Sequence, residues 1–148
     1  MSLTEDLKKI DTIFVDTAPI IYYFEGHSQF GSLAKTCIDA FKSGTVQAFT
    51  SVLTLTELLP KPVEKKQEDL IEKFIAFLRS SKDLTLIEIS TDIAETAGRL
   101  RGTYPFLKTI DAIQISIAIG IKADAFLTND IKLKRLTEVQ VLVLKDYL

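Results

Sequence analysis

Thr12-Ile13-Phe14-Val15-Asp16-Thr17-Ala18-Pro19 is the stretch on which the fold turns. Its first half, Thr12 to Val15, is an apolar, β-branched run of the kind found in a buried strand. Asp16 follows in a helix-capping position. Pro19 then falls in the first helical turn, where its missing N–H costs little. The octet therefore predicts a buried strand running directly into a helix, with a carboxylate at the joint. In open α/β sheets the carboxyl ends of the strands are where ligands bind.

Outward from this joint the pattern alternates. Val46 to Thr50 predicts a second strand, with Ser51 capping a short helix that carries Glu57 and is closed by Pro60 and Pro62. Leu84 to Ile89, Asp124 to Thr128 and Val139 to Leu144 predict three more strands. Between them, Phe30, Leu33, Ala34, Cys37, Ile38 and Phe41 recur at helical spacing and stop at Ser43-Gly44, which makes Cys37 a core residue. Leu70, Ile71, Phe74, Ile75, Phe77 and Leu78 form a second apolar stripe. Ile93, Ala97, Leu100 and Tyr104 form a third, opened by Thr91-Asp92 and ended by Pro105. Residues 113–121 are ambiguous, because isoleucine at every second position is a strand pattern. Ala112, Ser116 and Gly120 nevertheless recur every four residues, and the segment is assigned as a fully buried helix capped by Thr109. Residues before Thr12 read as a polar lead-in. Strands alternating with helices predict an α/β fold, a mainly parallel sheet of four to five strands with helices on both faces.

Composition narrows the chemistry. With 148 residues, 47% apolar and 26% charged, the expectation is a single domain over residues 1–148. No run approaches the roughly 18 apolar residues of a membrane span, and Met1 to Asp6 lacks the basic and apolar regions of a signal peptide, so a soluble, cytoplasmic protein is expected. One cysteine, Cys37, and one histidine, His27, cannot supply a zinc site. Any bound metal must be held by oxygen. The net charge of −2 is unpromising for a nucleic-acid partner, but it becomes +2 once four acids are set aside as metal ligands. Lys132, Lys134 and Arg135 then lie beside Asp130, although such a cluster is more often a solvated helix face.

Those four acids are Asp16, Glu57, Asp111 and Asp130. Asp16 ends the first strand, and Asp130 follows the strand that ends at Thr128. Asp111 opens the helix feeding that strand, and Glu57 lies one to two turns into the helix after the second strand. Each has a bland reading as a cap, a turn residue or a solvated acid. Brought together, they would repel by roughly 4 kcal/mol per pair at about 4 Å and an effective dielectric of about 20. Magnesium or manganese, hard ions that prefer carboxylate and water, would relieve the repulsion and bind a phosphate. His27 and Glu25 are expected in a solvated loop, and Arg99 and Arg101 on a solvated helix face. Asp124, at the opposite edge of the sheet, is expected to be structural. No Gly-rich phosphate loop is present, and Asp16-Thr17-Ala18 lacks the second acid of a phosphatase.

Four segments together resemble the PIN-domain family, and within it the VapC-type toxin ribonucleases of toxin-antitoxin pairs. They are Phe14-Val15-Asp16-Thr17 with Ile20 to Gly26, Thr54 to Leu58, Thr109 to Ala112, and Phe126 to Asp130. The resemblance spans Ile13 to Val143. It implies a three-layer α/β/α fold, Mg²⁺ or Mn²⁺ as cofactor, and cleavage of single-stranded RNA at a phosphodiester. It further implies a homodimer and a cognate antitoxin. By position, Asp16, Glu57, Asp111 and Asp130 are the implied catalytic and metal-binding acids, with Thr17, Thr128 and Asn129 placed to orient ligands or waters. Ile115 and Ile117 depart from the small residues the family often carries there. The competing reading is a PIN-like module that has lost catalysis and binds nucleic acid or protein.

Overall fold

Five strands pair into one all-parallel sheet in the computed structural model, which describes residues 2–148. In chain order the elements are α1 (Leu3–Lys8), β1 (Thr12–Val15), α2 (Thr17–Glu25), α3 (Gly31–Lys42), β2 (Gln47–Ser51), α4 (Leu53–Leu58), α5 (Pro60–Glu64), α6 (Glu68–Ser80), β3 (Leu84–Ile87), α7 (Thr91–Thr103), α8 (Thr109–Gly120), β4 (Ala125–Thr128) and β5 (Gln140–Val143). A 3-10 helix, Ile131–Arg135, joins β4 to β5, and another, Leu144–Tyr147, follows β5. The strand order is β3-β2-β1-β4-β5. From β1 the chain winds outward through β2 and β3, then returns to lay β4 on the other side of β1. The β1–β4 seam is therefore the topological switch, where a crevice opens at the carboxyl ends of the strands. Its register pairs Ile13 with Ala125, Phe14 with Phe126 and Val15 with Leu127.

Strand alternation sorts the core into two layers. Ile13, Val15, Ala125 and Leu127 point into a cluster with α1, α2, α3 and α6. Phe14 and Phe126 point the other way, stacked with centroids 5.4 Å apart, into a cluster with α7 and α8. All six of these strand residues are essentially inaccessible to water. That explains why β1 reads as continuously apolar: both of its faces are covered.

Residues 109–120 are helical, and α8 is apolar all round because it packs between the sheet and α7. Ile115 and Ile117 are fully buried against the Phe14–Phe126 layer. Ser116 satisfies its hydroxyl by donating to Ala112 O at 2.7 Å.

Several local expectations need correction. The lead-in before Thr12 contains α1, capped by Ser2 Oγ, which accepts from Glu5 N at 3.1 Å, and anchored by buried Leu3 and Leu7. The cap residue of α8 is Lys108 and makes no side-chain cap bond, while Thr109 is the first helical residue. Pro60 does not close the helix carrying Glu57 into a loop. It opens α5 from a first-turn position, where proline is compatible with a helix. The third strand stops at Ile87, two residues early. Among the described residues, no helix is long and apolar enough to cross a membrane.

Candidate active site

Asp16 is held at the switch by its own backbone. Its N–H donates to Leu127 O at 2.9 Å, extending the β1–β4 pairing by one residue, and its side chain turns to cap α2. Asp16 Oδ1 accepts from Thr17 N at 2.9 Å, and Oδ2 accepts from the Thr128 hydroxyl at 2.9 Å. The far end of α2 is closed by Gly26 in the left-handed region (φ 61°), with its N–H directed at Tyr22 O and Tyr23 O.

Two threonines tie Glu57 and Asp130 to this point. Thr128 Oγ1 also accepts from Asp130 N at 3.2 Å, and Asp130 Oδ1 accepts from Lys132 N at 3.1 Å, capping the 3-10 helix. Thr17 Oγ1 donates to Glu57 Oε1 at 2.6 Å. Asp111 lies in the first turn of α8, half-buried. Glu57, Asp111 and Asp130 line one open cavity of about 480 Å³ together with Lys108, Thr109, Ile110 and Lys132, and Asp16 stands just behind them. Three of the four acids, from separate parts of the chain, thus line a single opening, and Asp16 is linked to two of them through Thr17 and Thr128.

The electrostatics reflect this crowding. Burial pushes the Asp16 carboxyl up from its ordinary 3.8 to about 6, with the charges of Asp111 and Glu57 adding to the rise and the Thr17 and Thr128 hydrogen bonds opposing it. Asp111 is raised too, by burial first and then by Asp130 and Glu57, against the pull of Lys108 and Lys132. Among the described residues none of the four acids has an ion-pair partner. Nor, among them, are three acid, histidine or cysteine side chains drawn together into a ready-made metal cage. The three acids that line the cavity stand apart there, with Lys108 and Lys132 in the same lining. The donor set is entirely oxygen, which suits a hard divalent cation rather than zinc or copper.

Asn129 is buried, but its side chain serves a different junction. Its amide donates to Tyr22 Oη at 3.2 Å and its carbonyl accepts from Lys145 N at 3.0 Å, so it ties α2 to the C-terminal segment and touches none of the four acids. His27 is not simply solvated. Its Nδ1 accepts from Gln29 N and Phe30 N, and its ring packs on Tyr22 and Phe30 at 4.7 and 5.1 Å. Glu25, Arg99 and Arg101 are exposed, and Arg99 pairs with Glu95 on its own helix. Lys134 pairs with Asp146, and Arg135 lies over the Phe106 ring. Of that basic cluster, Lys132 alone lines the cavity. Asp124, at the amino end of β4, accepts from Asp11 N and Thr12 N at 2.8 and 3.0 Å, a structural clasp far from the acids.

No site role was evident in the sequence for Lys108 or for the buried polar group Gln114, Thr54, Thr50 and Ser51; Ser51, expected as a helix cap, is the last residue of β2. The signal was present: an amide at 114 within a run of isoleucine has no place in an apolar helix unless it has partners.

Fold and crevice define a parallel α/β protein with an acidic centre at its topological switch. The PIN domain family model matches residues 13–139, and the chain belongs to the PIN-domain family. No curated protein matches it by sequence. Among solved structures it is similar to a chain of a toxin-antitoxin complex from Klebsiella pneumoniae, at 25% identity and TM-score 0.62, covering 86% of this chain and 98% of that one. It also shares its fold with VapC20 of Mycobacterium tuberculosis, a sarcin-ricin loop cleaving toxin, at 17% identity and TM-score 0.67, covering 86% and 98%. A third likeness is to a chain of VapBC2 from Rickettsia felis bound to a promoter DNA fragment, at 18% identity and TM-score 0.66, covering 89% and 98%.

Proposed function

We propose that this protein is a divalent-metal-dependent ribonuclease that cleaves single-stranded RNA, the toxin of a toxin-antitoxin pair, with residues 1–148 acting as one PIN-like domain. The observation that carries the reading is the single cavity lined by Glu57, Asp111 and Asp130 at the β1–β4 switch, with Asp16 immediately behind. Asp16, Glu57, Asp111 and Asp130 would hold Mg²⁺ or Mn²⁺. When bound, such an ion supplies Lewis-acid polarisation of a phosphoryl oxygen and makes water more acidic. Burial raises the Asp16 carboxyl to about 6, and a bound cation would favour its ionised form. Thr17 N and the Thr128 hydroxyl fix its two oxygens and leave each a further lone pair. Lys108 and Lys132, at the mouth of the same cavity, place positive charge where an RNA phosphate would enter. A cognate antitoxin belongs to this proposal, supported by the toxin-antitoxin complex among the similar structures, and a homodimeric assembly is proposed with it on the family resemblance alone.

The competing reading, a catalytically silent binding module, draws on the acids standing apart rather than in a closed cage. Cleavage of a single-stranded RNA with and without EDTA decides between them. The nuclease reading expects Mn²⁺- or Mg²⁺-dependent cleavage that Asp111→Asn and Glu57→Gln abolish. Wild-type cleavage in both variants, or none by the native protein under any metal, would overturn it.

A further inference from the structure

Behind the acids runs a closed polar chain inside an otherwise apolar core. Gln114, on α8 and less than one turn beyond Asp111, is fully buried, as are Thr50, Ser51 and Thr54. Its Nε2 donates to Thr54 Oγ1 at 3.2 Å, and its Oε1 accepts from the Ser51 hydroxyl. Ser51 Oγ in turn accepts from Leu53 N at 3.1 Å, in the first turn of α4. The Thr50 hydroxyl donates to Val15 O at 2.8 Å and lies 2.9 Å from Thr54 Oγ1. Thr17 Oγ1, which donates to Glu57, lies 3.3 Å from Thr54 Oγ1.

Counting protons gives this chain a direction. Each hydroxyl has one proton, and neither a carbonyl nor a carboxylate can donate. Thr50 and Thr17 therefore commit their protons to Val15 O and Glu57 Oε1. The Gln114 amide fills a lone pair of Thr54, and the single Thr54 proton is left for either the Thr50 oxygen at 2.9 Å or the Thr17 oxygen at 3.3 Å. With the Thr54 proton on Thr17, polarity runs from Gln114 through Thr54 and Thr17 to Glu57; with it on Thr50, it ends at Val15 O. Glu57 itself is exposed, and among the described residues the Thr17 hydroxyl is the one group that holds its carboxylate. A long, exposed side chain on a six-residue helix would otherwise sample many rotamers. Packing alone would be met by a methionine or leucine at 114, so what the amide adds is its directed bonds.

We propose that Gln114 is a positioning residue for Glu57, acting through Thr54 and Thr17 to hold that carboxylate toward the cavity. The proposal rests on the reading of Glu57 as a working acid. It is tested with Gln114→Met, Thr17→Val, their double variant, Thr54→Val and Thr54→Ser, reading kcat and KM for RNA cleavage, Mn²⁺ affinity by calorimetry, and melting temperature in EDTA. Gln114→Met is expected to lower kcat and Mn²⁺ affinity by about 10-fold, with KM for RNA unchanged. The double variant is expected to be no worse than Thr17→Val, because both act on one chain. Thr54→Ser keeps the hydroxyl and should behave as wild type, whereas Thr54→Val should match Gln114→Met and gives the same answer if that variant fails to fold. Wild-type kcat and Mn²⁺ affinity in Gln114→Met with only a lower melting temperature would overturn the proposal, as would multiplied losses in the double variant. Glu57→Gln separates the two levels: if it cleaves normally, the reading of the site fails, and if it is dead while Gln114→Met is fully active, only the positioning role fails.

Discussion

Replacing Asp16 by asparagine should make the metal-free protein more stable while removing its activity. The magnitude follows from the carboxyl being raised from 3.8 to about 6, a destabilisation of the ionised form by about 3 kcal/mol. Asparagine is nearly isosteric. Its Oδ1 can still accept from Thr17 N, and its Nδ2 can donate to the Thr128 hydroxyl, but the buried Thr128 proton then loses its acceptor, so the loss is about 2 kcal/mol. A net gain of about 1 kcal/mol remains, or about 3 °C in melting temperature for a chain of this size. The sign of the pH dependence follows from linkage. The folded state binds the Asp16 proton more tightly than the unfolded chain, so the Asp16 contribution to wild-type stability falls as pH rises from 3.8 to about 6 and is flat above. The advantage of Asp16→Asn should therefore be full at neutral pH and shrink on acidification through that window. Thermal unfolding in EDTA across this range measures it. Added Mn²⁺ should raise the melting temperature of the wild type and not of the variant. A variant less stable than wild type at neutral pH, or an offset that does not change with pH, would refute the argument from burial and like-charge crowding.

Lys132→Ala and Lys108→Ala should raise KM for RNA more than they lower kcat, and each should reduce the slope of log affinity against log salt by about 1, read from binding titrations at several salt concentrations. Asp124→Ala removes two backbone partners at the start of β1 and should cost about 1 kcal/mol in denaturant unfolding, with cleavage unchanged, because the exposed carboxylate is partly screened by water. Burial pushes the Cys37 thiol up to about 12, so a thiol reagent should label the native protein only at the rate at which it unfolds. Fast labelling under native conditions would contradict the packing of α3.

How much of this was legible depends on whether a residue's role is local. Thr12 to Val15 shows its strand because both faces are covered, and Asp16 shows its cap because its partner is the adjacent Thr17 N–H. The periodicity of α3 and α6 is equally plain, since each buries one stripe and exposes the other. Residues 113–121 were ambiguous for the opposite reason: a helix covered on nearly every side has no polar face to reveal its period. The helix α1 was missed because six residues make a weak pattern, and it persists through the tertiary burial of Leu3 and Leu7. Pro60 was misjudged because proline can end one helix or begin the next, and the direction of the following turn decides which.

By itself the sequence determined the alternation of strands and helices, the all-oxygen character of any metal site, and the four acids as candidates, because each depends on residue type and near-neighbour spacing. Only the tertiary structure decided that Glu57, Asp111 and Asp130 share one cavity with Lys108 and Lys132, that Thr17 links Asp16 to Glu57, and that Thr128 links Asp16 to the backbone of Asp130. It alone decided that Asn129 serves Tyr22 and Lys145, and that Gln114 reaches Thr54 across 60 positions of chain. Contacts of this kind are set by strand order. With β4 laid against β1 at the switch, residues remote in the chain become neighbours, and no local pattern encodes which ones.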